Sequence, residues 1–204
     1  MKAVLISIQP KWVEKIANRK KTIEVRKTAP KQVPFKCYIY CTYPKKPAYT
    51  LWLNRRTKNK FLADGKVIGE FVCDKVFLLH PYTYDGGSAD LEHRKFIQTF
   101  EGSSNENEIL AATCLTQDEM FDYIGAGNYG YGWHISDLKI YDKPKELSEF
   151  KTPPCEKSEK ACGNCEWLVK INTPNVYECE CYVEDGRPIT RAPQSWQYVE
   201  ELEE

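Results

Sequence analysis

The residues best suited to hold a metal ion are five cysteines in the last quarter of the 204-residue chain. Their spacing is C-x6-C-x2-C-x13-C-x-C, at Cys155, Cys162, Cys165, Cys179 and Cys181. The Cys162/Cys165 turn contains a glycine, which lets both thiolates reach one ion. The pattern predicts a closed, structural zinc site, completed by one or both of Cys179 and Cys181, with Cys155 as the competing fourth ligand. A redox pair or a set of free thiols are the alternatives.

A second group with chemical potential is the trio Lys21, Glu24 and Arg26. Two cations next to one carboxylate can hold a phosphate, while the carboxylate accepts a hydrogen bond from a base amino group or acts as a general base. The trio therefore predicts a phosphate or nucleotide site with Lys21 and Glu24 as candidate catalytic residues. The alternative is an ordinary surface ion pair, which stabilises little.

Strand alternation sets the expected orientation of this trio. In a strand over residues 22–26, Ile23 and Val25 point to one face, and Glu24 and Arg26 point to the other. If the apolar face is the core, the charged face is exposed. Substitutions there are then expected to change stability by no more than about 0.5 kcal/mol.

The segment Asn128-Tyr129-Gly130-Tyr131-Gly132-Trp133-His134 is a third candidate. Its glycines permit close approach of a ligand to the backbone, and Tyr129, Tyr131 or Trp133 offers a ring on which a base stacks. A buried Trp133 that anchors a strand is the competing interpretation.

The hydrophobic pattern predicts short strands and helices that position these residues. Alternation predicts strands at residues 4–8, 22–26, 36–42, 66–79 and 132–141, and Pro10 begins a helix over residues 11–18. Cys37 and Cys41 are expected in the core. Thr116 and Glu119 form a capping box, which predicts a helix over residues 117–124.

Two boundaries divide the chain. A polar insertion over about residues 81–113 is expected to be a mobile loop or lid that holds one helix. Pro153-Pro154 separates a domain at residues 1–150 from a cysteine-rich tail at 151–204. Residues 193–198 are expected to pack that tail back on the first domain.

Four motifs in order along residues 1–150 resemble the ASCH family. They are Ser7-Ile8-Gln9-Pro10-Lys11-Trp12, Lys21-Thr22-Ile23-Glu24-Val25-Arg26, Val67-Ile68-Gly69-Glu70 and Tyr131-Gly132-Trp133-His134-Ile135-Ser136. The resemblance implies an α+β fold: a PUA-like β-barrel with short flanking helices, here followed by the small zinc-binding tail. It also implies a cleft for RNA or a modified nucleotide, with Lys11, Trp12, Lys21, Thr22, Glu24, Arg26, Tyr131 and Trp133 as the contact residues.

The resemblance leaves three functions open. A binding module for RNA or a modified nucleotide is the first. The second is a hydrolase with Lys21 and Glu24 in catalytic roles, either a ribonuclease, as some ASCH members look like, or an amidohydrolase that acts on a modified nucleobase. One branch of the family resembles N4-acetylcytidine amidohydrolases with a nucleophilic Thr, but Glu24 occupies that position here, so this activity is not carried over. A phage regulatory factor that binds a protein is the third, because phage-type ASCH proteins have tails with a similar Cys cluster and a P-Q-S-W segment.

Composition and charge narrow the class of protein. Hydrophobic residues make up 42% of the chain and aromatic residues 13%, as in a globular protein. Residues 1–60 contain 16 Lys and Arg against two Glu, and the remaining residues contain 13 against 27 acidic ones. A basic segment with interleaved aromatic residues is suited to bind a polyanion. The alternative is that it packs beside the acidic part of the chain.

No apolar run resembles a signal peptide or a membrane span, so a cytoplasmic protein is expected.

Overall fold

The computed structural model describes residues 2–44, 51–53, 60–84, 94–99, 106–153 and 186–203. Within these ranges the chain forms eleven strands, three α-helices and one short 3-10 helix. In chain order they are β1 (Lys2–Ile8), α1 (Pro10–Ala17), β2 (Ile23–Arg26), β3 (Phe35–Cys41), β4 (Leu51–Leu53), β5 (Lys60–Leu62), β6 (Lys66–Cys73), β7 (Val76–Tyr84), β8 (Arg94–Thr99), α2 (Glu106–Thr113), α3 (Gln117–Ile124), β9 (Gly130–His134), β10 (Ser136–Lys145), the 3-10 helix (Leu147–Glu149) and β11 (Trp196–Glu200).

The strands form two main sheets and one small hairpin. The first sheet has the order β10-β6-β3-β1-β11, and the second has the order β2-β9-β7-β8. β1 lies parallel to β3 and antiparallel to β11, and the hairpin pairs β4 with β5. The fold is therefore a mixed α+β fold, and among the described strands the sheets are separate rather than one closed barrel.

Three hydrophobic clusters show how the layers stack. The central cluster joins β1, β3 and β6 of the first sheet to α1 and to Trp133 of β9. A second cluster covers the opposite face of the second sheet with α2 and α3. The third covers the outer face of the first sheet with Phe150, Ile189 and Val199. Hydrophobic clusters therefore lie on both faces of each sheet.

Two segments that were each predicted to be a single strand form two strands each. In both cases the two strands belong to different sheets. Residues 66–79 contain the end-to-end strands β6 and β7, and the chain passes from the first sheet to the second at Asp74 and Lys75. Residues 132–141 contain the end of β9 and the start of β10, with the return crossing at Ile135. Apolar alternation continues through both crossings because the sheets share one core, so the pattern does not mark the break.

The predicted polar insertion is partly regular structure. β7 extends into it as far as Tyr84, and it contains β8 and one helix, α2, as expected. Ile97 and Ile109 are buried in the second hydrophobic cluster. The described part of the insertion is therefore packed on the second sheet as strands and one helix, where the sequence predicted a loop that holds one helix.

Several local predictions are confirmed. α1 begins at Pro10, one residue before the predicted start, with the proline in its first turn. α3 has the predicted bounds, and the Thr116 hydroxyl accepts a hydrogen bond from the Glu119 amide while the Glu119 carboxylate accepts one from Thr116. Cys37 and Cys41 are fully buried.

The predicted tail returns to the first sheet. β11 pairs with β1 over five residues, so residues 193–198 do pack on the first domain as expected. The described residues on either side of 154–185 also meet. Lys151 forms an antiparallel bridge with Pro188, and the Thr152 amide donates to the Arg187 carbonyl at 2.8 Å. We call Lys151, Thr152, Arg187 and Pro188 the clamp; the boundary at residue 150 stays a prediction.

No helix among the described residues has the length and apolar composition needed to cross a membrane.

Candidate functional site

Lys21 is buried where the turn after α1 leads into β2. Only 2% of the residue is exposed. Its ammonium nitrogen Nζ donates to the carbonyl of Thr113, at the end of α2, over 2.7 Å, and lies 3.4 Å from Oε2 of Glu24. Burial lowers the pKa of Lys21 from its ordinary value, and the Glu24 carboxylate opposes this shift.

Glu24 and Arg26 complete a chain of charges on one face of β2. Nη2 of Arg26 lies 3.0 Å from Oε1 of Glu24 and donates to the carbonyl of Ser7 on β1 at 2.7 Å. Oε2 of Glu24 and Nε of Arg26 are buried, and among the described residues neither has a hydrogen-bond partner. Oε2 of Glu24 still has the Lys21 ammonium group 3.4 Å away as an ion-pair partner, so Nε of Arg26 is the spare donor of the site.

The prediction that this trio is exposed was wrong. Glu24 is 5% exposed and Arg26 7%. Ile23 and Val25 do point into an apolar cluster, but it is the one formed with α2 and α3. The other face of β2 looks toward the first sheet and is covered as well. The alternation of side chains along β2 assigns the residues to its two faces correctly. It does not show that other parts of the chain cover both faces.

The trio lies at the wall of a cleft of about 990 Å³. α1 contributes Lys11 and Trp12, and α3 contributes Glu119, Asp122 and Tyr123. Partial burial raises the pKa of Tyr123, and the positive charge of Arg26 opposes the shift. The volume falls in the range of pockets that bind small molecules and cofactors.

Three lysines surround the ring of Trp12 beside this cleft. The ammonium groups of Lys11, Lys15 and Lys21 lie 4.2, 4.7 and 5.1 Å from the ring centroid. Contacts of this length are cation–π contacts. Lys11 and Lys15 extend the positive charge of Lys21 from the buried trio to the surface of α1, where the Lys11 side chain is 59% exposed.

Residues before β11 form another wall of the cleft. Thr190, Arg191, Ala192, Pro193, Gln194 and Ser195 all line the cleft. They are tied to β1, because the Ser7 hydroxyl donates to the Pro193 carbonyl at 2.6 Å and the Ser7 amide donates to the Ser195 carbonyl at 2.9 Å. The predicted tail therefore supplies part of the site.

Five of the eight residues predicted to contact a ligand line this cleft: Lys11, Trp12, Lys21, Glu24 and Arg26. Thr22, Tyr131 and Trp133 are not among its lining residues. Trp133 is fully buried, with its ring 5.2 Å from that of Phe35 and 5.7 Å from that of Trp196, so the strand-anchor interpretation is the one that the structure supports.

Sequence reasoning missed Tyr123 and the wall at residues 190–195. The P-Q-S-W segment was the available signal for the wall, because it was expected to pack on the first domain. No sequence signal marked Tyr123 as a site residue, because an aromatic residue on an amphipathic helix is usually part of the core.

The predicted zinc ligands lie outside the described residues. Within the described ranges, no group of three or more His, Cys, Asp or Glu side chains is arranged to hold a metal ion. The zinc site stays a prediction from the cysteine spacing.

Comparison with known proteins gives similar solved structures only. No protein-family model matches the chain, and no curated protein matches it. A crystal structure of ASCH from Zymomonas mobilis has a TM-score of 0.49 and 14% sequence identity, covering 98% of this chain and 88% of that one. Two mutants of the same Zymomonas protein have TM-scores of 0.47, at 15% and 14% identity, covering 92% and 89% of their own chains. At this level of similarity, the resemblance to the ASCH family rests on the motifs quoted above.

Proposed function

We propose that the cleft binds RNA or a modified nucleotide. Lys21, Arg26 and the lysines around Trp12 attract the phosphate, and Glu24 accepts a hydrogen bond from the base. Two cations and one carboxylate leave the trio with a net positive charge, which favours an anionic ligand.

The observation that supports this proposal best is that two cations and a carboxylate are buried together at the cleft wall, where Oε2 of Glu24 and Nε of Arg26 have no hydrogen-bond partner among the described residues. A buried polar atom that lacks a hydrogen bond costs about 1–3 kcal/mol, of which Oε2 of Glu24 recovers a part through the Lys21 ammonium group 3.4 Å away. A nucleotide offers what both atoms lack, because a base edge presents N–H donors and a phosphate or carbonyl presents acceptors.

The test is a binding titration across salt concentrations. A mixed-sequence 12-nucleotide RNA with a fluorescein label is followed by anisotropy at several KCl concentrations. Affinity should fall steeply as salt rises, since each phosphate contact releases counterions. Lys11→Ala should weaken binding several-fold and flatten the salt dependence, because this exposed lysine contributes charge to the cleft, while its surface contacts with Trp12 and Glu119 contribute little to stability.

Lys143→Ala is the matched control. Lys143 is an exposed lysine on β10, at the edge of the first sheet opposite β11, and does not line the cleft. Its replacement should leave RNA affinity unchanged. Absence of RNA and nucleotide binding at every salt concentration would reject the proposal and leave a protein partner, the third function above, as the remaining hypothesis.

A hydrolase is the second candidate, and the state of Lys21 favours it. Burial lowers the pKa of this lysine, which brings the neutral amine closer to the range where it can accept a proton. Chromatographic analysis of the RNA after prolonged incubation with the protein tests this function. New fragments or altered bases would establish turnover, and an unchanged oligonucleotide that is nevertheless bound would establish a binding module.

We also propose a structural zinc ion in the cysteine-rich segment, with four ligands drawn from the five cysteines of the predicted site. The support is their spacing in the sequence. Elemental analysis of protein purified without chelator should find about one zinc per chain, and chelation should loosen this segment while RNA affinity is retained. Less than half a zinc per chain would count against the site.

A further inference from the structure

Arg191 is an exposed cation on the wall of the cleft. It belongs to residues 190–195, which precede β11 and line the cleft. Among the described residues, its guanidinium group forms no hydrogen bond and no ion pair. The cleft wall therefore carries a positive charge that lies outside the charged trio.

The carboxylates that line the cleft do not neutralise this charge. Glu24 is held by the two cations of the trio, and Oε1 of Glu119 lies 3.9 Å from Nζ of Lys11. Asp122, the third carboxylate that lines the cleft, forms no ion pair with Arg191. An uncompensated cation on a concave wall attracts anions into the cleft.

The sequence around Arg191 is basic, although the rest of the tail is acidic. Residues 186–199 contain two arginines and no Asp or Glu, whereas residues 184–185 and 200–201 on either side are all acidic. Residues 61–204 as a whole contain 27 acidic against 13 basic residues. Negative charge is thus absent from the stretch of the tail that forms the cleft wall.

The backbone that carries Arg191 is fixed relative to the trio by Ser7. The Ser7 carbonyl accepts from Nη2 of Arg26 at 2.7 Å, while the Ser7 hydroxyl donates to the carbonyl of Pro193 at 2.6 Å. The Ser7 amide also donates to the carbonyl of Ser195 at 2.9 Å. Because the wall is held in this way, only the Arg191 side chain has to be ordered when a ligand binds.

Arg191 and the trio belong to different sheets. The trio is on or next to β2 of the second sheet, whereas residues 190–195 lead into β11, at one end of the first sheet. A ligand in the cleft is therefore within the reach of cations from two separate walls.

We propose that Arg191 binds a second phosphate of the ligand, so that the cleft recognises a nucleoside with a phosphate on both its 5′ and its 3′ side. This inference rests on the proposed function, in which the trio and Lys11 attract the first phosphate. A guanidinium group suits the second one, because it offers two parallel N–H donors to a single phosphate. Phosphates separated by a nucleoside fit cations on separate walls better than the adjacent phosphates of a diphosphate do. Such a unit occurs inside an RNA strand and in a free nucleoside 3′,5′-bisphosphate.

The experiment compares ligands that differ in the number and position of their phosphates. Calorimetric titration measures the binding of UMP, UDP, uridine 3′,5′-bisphosphate and a uridine decanucleotide to the wild type, Arg191→Ala and Arg191→Lys. The wild type should bind the bisphosphate about 10-fold more tightly than UMP or UDP, as expected for hydrogen bonds between charged groups. Arg191→Ala should remove this gain, leave UMP affinity unchanged and keep the thermal midpoint, because the residue is exposed. Arg191→Lys should retain part of the gain, since it keeps the charge but loses the paired donors.

The decanucleotide identifies the source of the second phosphate. If Arg191→Ala weakens its binding by the same factor as that of the bisphosphate, the ligand is an RNA strand. An effect on the bisphosphate alone identifies a free nucleotide.

Two control variants separate this role from general attraction. Lys143→Ala, outside the cleft, should change none of the affinities. Lys11→Ala should weaken UMP and bisphosphate binding alike, because it acts on the first phosphate.

Three outcomes would overturn the proposal. Equal affinity of the wild type for UMP and the bisphosphate would do so while the proposed function stands, and so would equal weakening of both by Arg191→Ala. A gain for UDP and not for the bisphosphate would show that the cleft binds adjacent phosphates instead. No binding of any probe would reject the proposed function as well.

Discussion

Glu24 is the residue on which the charge balance of the site depends. Its carboxylate lies between the ammonium group of Lys21 and the guanidinium group of Arg26, and all three residues are buried. Removal of one member from a buried ion pair leaves the remaining charge without compensation, which typically costs 3–5 kcal/mol. Removal of Glu24 would leave two neighbouring cations in that state.

Glu24→Gln should therefore lower the free energy of unfolding by about 3 kcal/mol or more, measured by urea denaturation. Glu14→Gln, the same change at an exposed position on α1, is the control and should have little effect. Addition of Lys21→Met to Glu24→Gln should restore part of the loss, because it removes one of the two unpaired cations. A change within about 0.5 kcal/mol for Glu24→Gln would show that water reaches the trio in solution.

The sequence identified this trio but not its surroundings. Residue types and a spacing of two were enough to place Glu24 and Arg26 on one face of a strand. Whether that face meets solvent depends on α1, β1 and residues 190–195, which lie far from β2 along the chain. For Trp133, the local pattern was compatible with both a ligand contact and a core position. Its packing against Phe35 supports the core position.

Among the helices, α3 shows how local signals position part of the site. Its capping box was visible in the sequence because the interacting residues are three apart. The same helix buries Met120, Phe121 and Ile124 and presents Tyr123 to the cleft. The strand crossings at residues 74–75 and 135 had no comparable signal, since their cause is the pairing of distant strands.

Thr116→Ala should destabilise the protein by about 1 kcal/mol, because the amide of Glu119 loses its acceptor at the start of α3. Thermal or urea denaturation measures the change. Thr116→Ser keeps a hydroxyl at the same position and should retain most of the stability. Equal losses in the two variants would show that the methyl group, and not the cap, is responsible.

Across the whole molecule, the clamp joins the described residues on either side of the cysteine-rich segment. Thr152 and Arg187 are joined by two hydrogen bonds, from the Thr152 amide at 2.8 Å and from the Arg187 amide to the Thr152 hydroxyl at 3.1 Å. Residues 154–185 therefore leave and re-enter the described structure at one place. The sequence predicted a boundary here from Pro153-Pro154, but not that the chain returns to it.

Replacement of residues 154–185 by a six-residue Gly-Ser linker should leave a folded protein with an unchanged or higher urea midpoint. The ends are already adjacent, and each halving of a flexible loop lowers its closure cost by about 0.6 kcal/mol. Circular dichroism and the RNA titration described above check the fold and the cleft. Loss of cooperative unfolding would show that the replaced segment supports the sheets.

Gly186→Ala in the full chain should have the opposite effect. A β-carbon at this position would lie 1.5 Å from the carbonyl oxygen of Thr152, so the clamp has to open to admit it. We expect a lower urea midpoint and weaker RNA binding, because the cleft wall at residues 190–195 begins only four residues later.

The pairing of β1 with β11 also has a consequence for the order in which the protein is made. Leu5 and Gln197 are strand partners about 190 residues apart. At roughly 5–20 residues per second, the ribosome delivers β11 on the order of 10 to 40 seconds after β1. During that interval β1 has an open, apolar edge, the kind of surface that chaperones shield and that otherwise pairs with other chains. Because residues 190–195 form part of the cleft wall, a nascent chain completes its cleft only after these residues have left the ribosome.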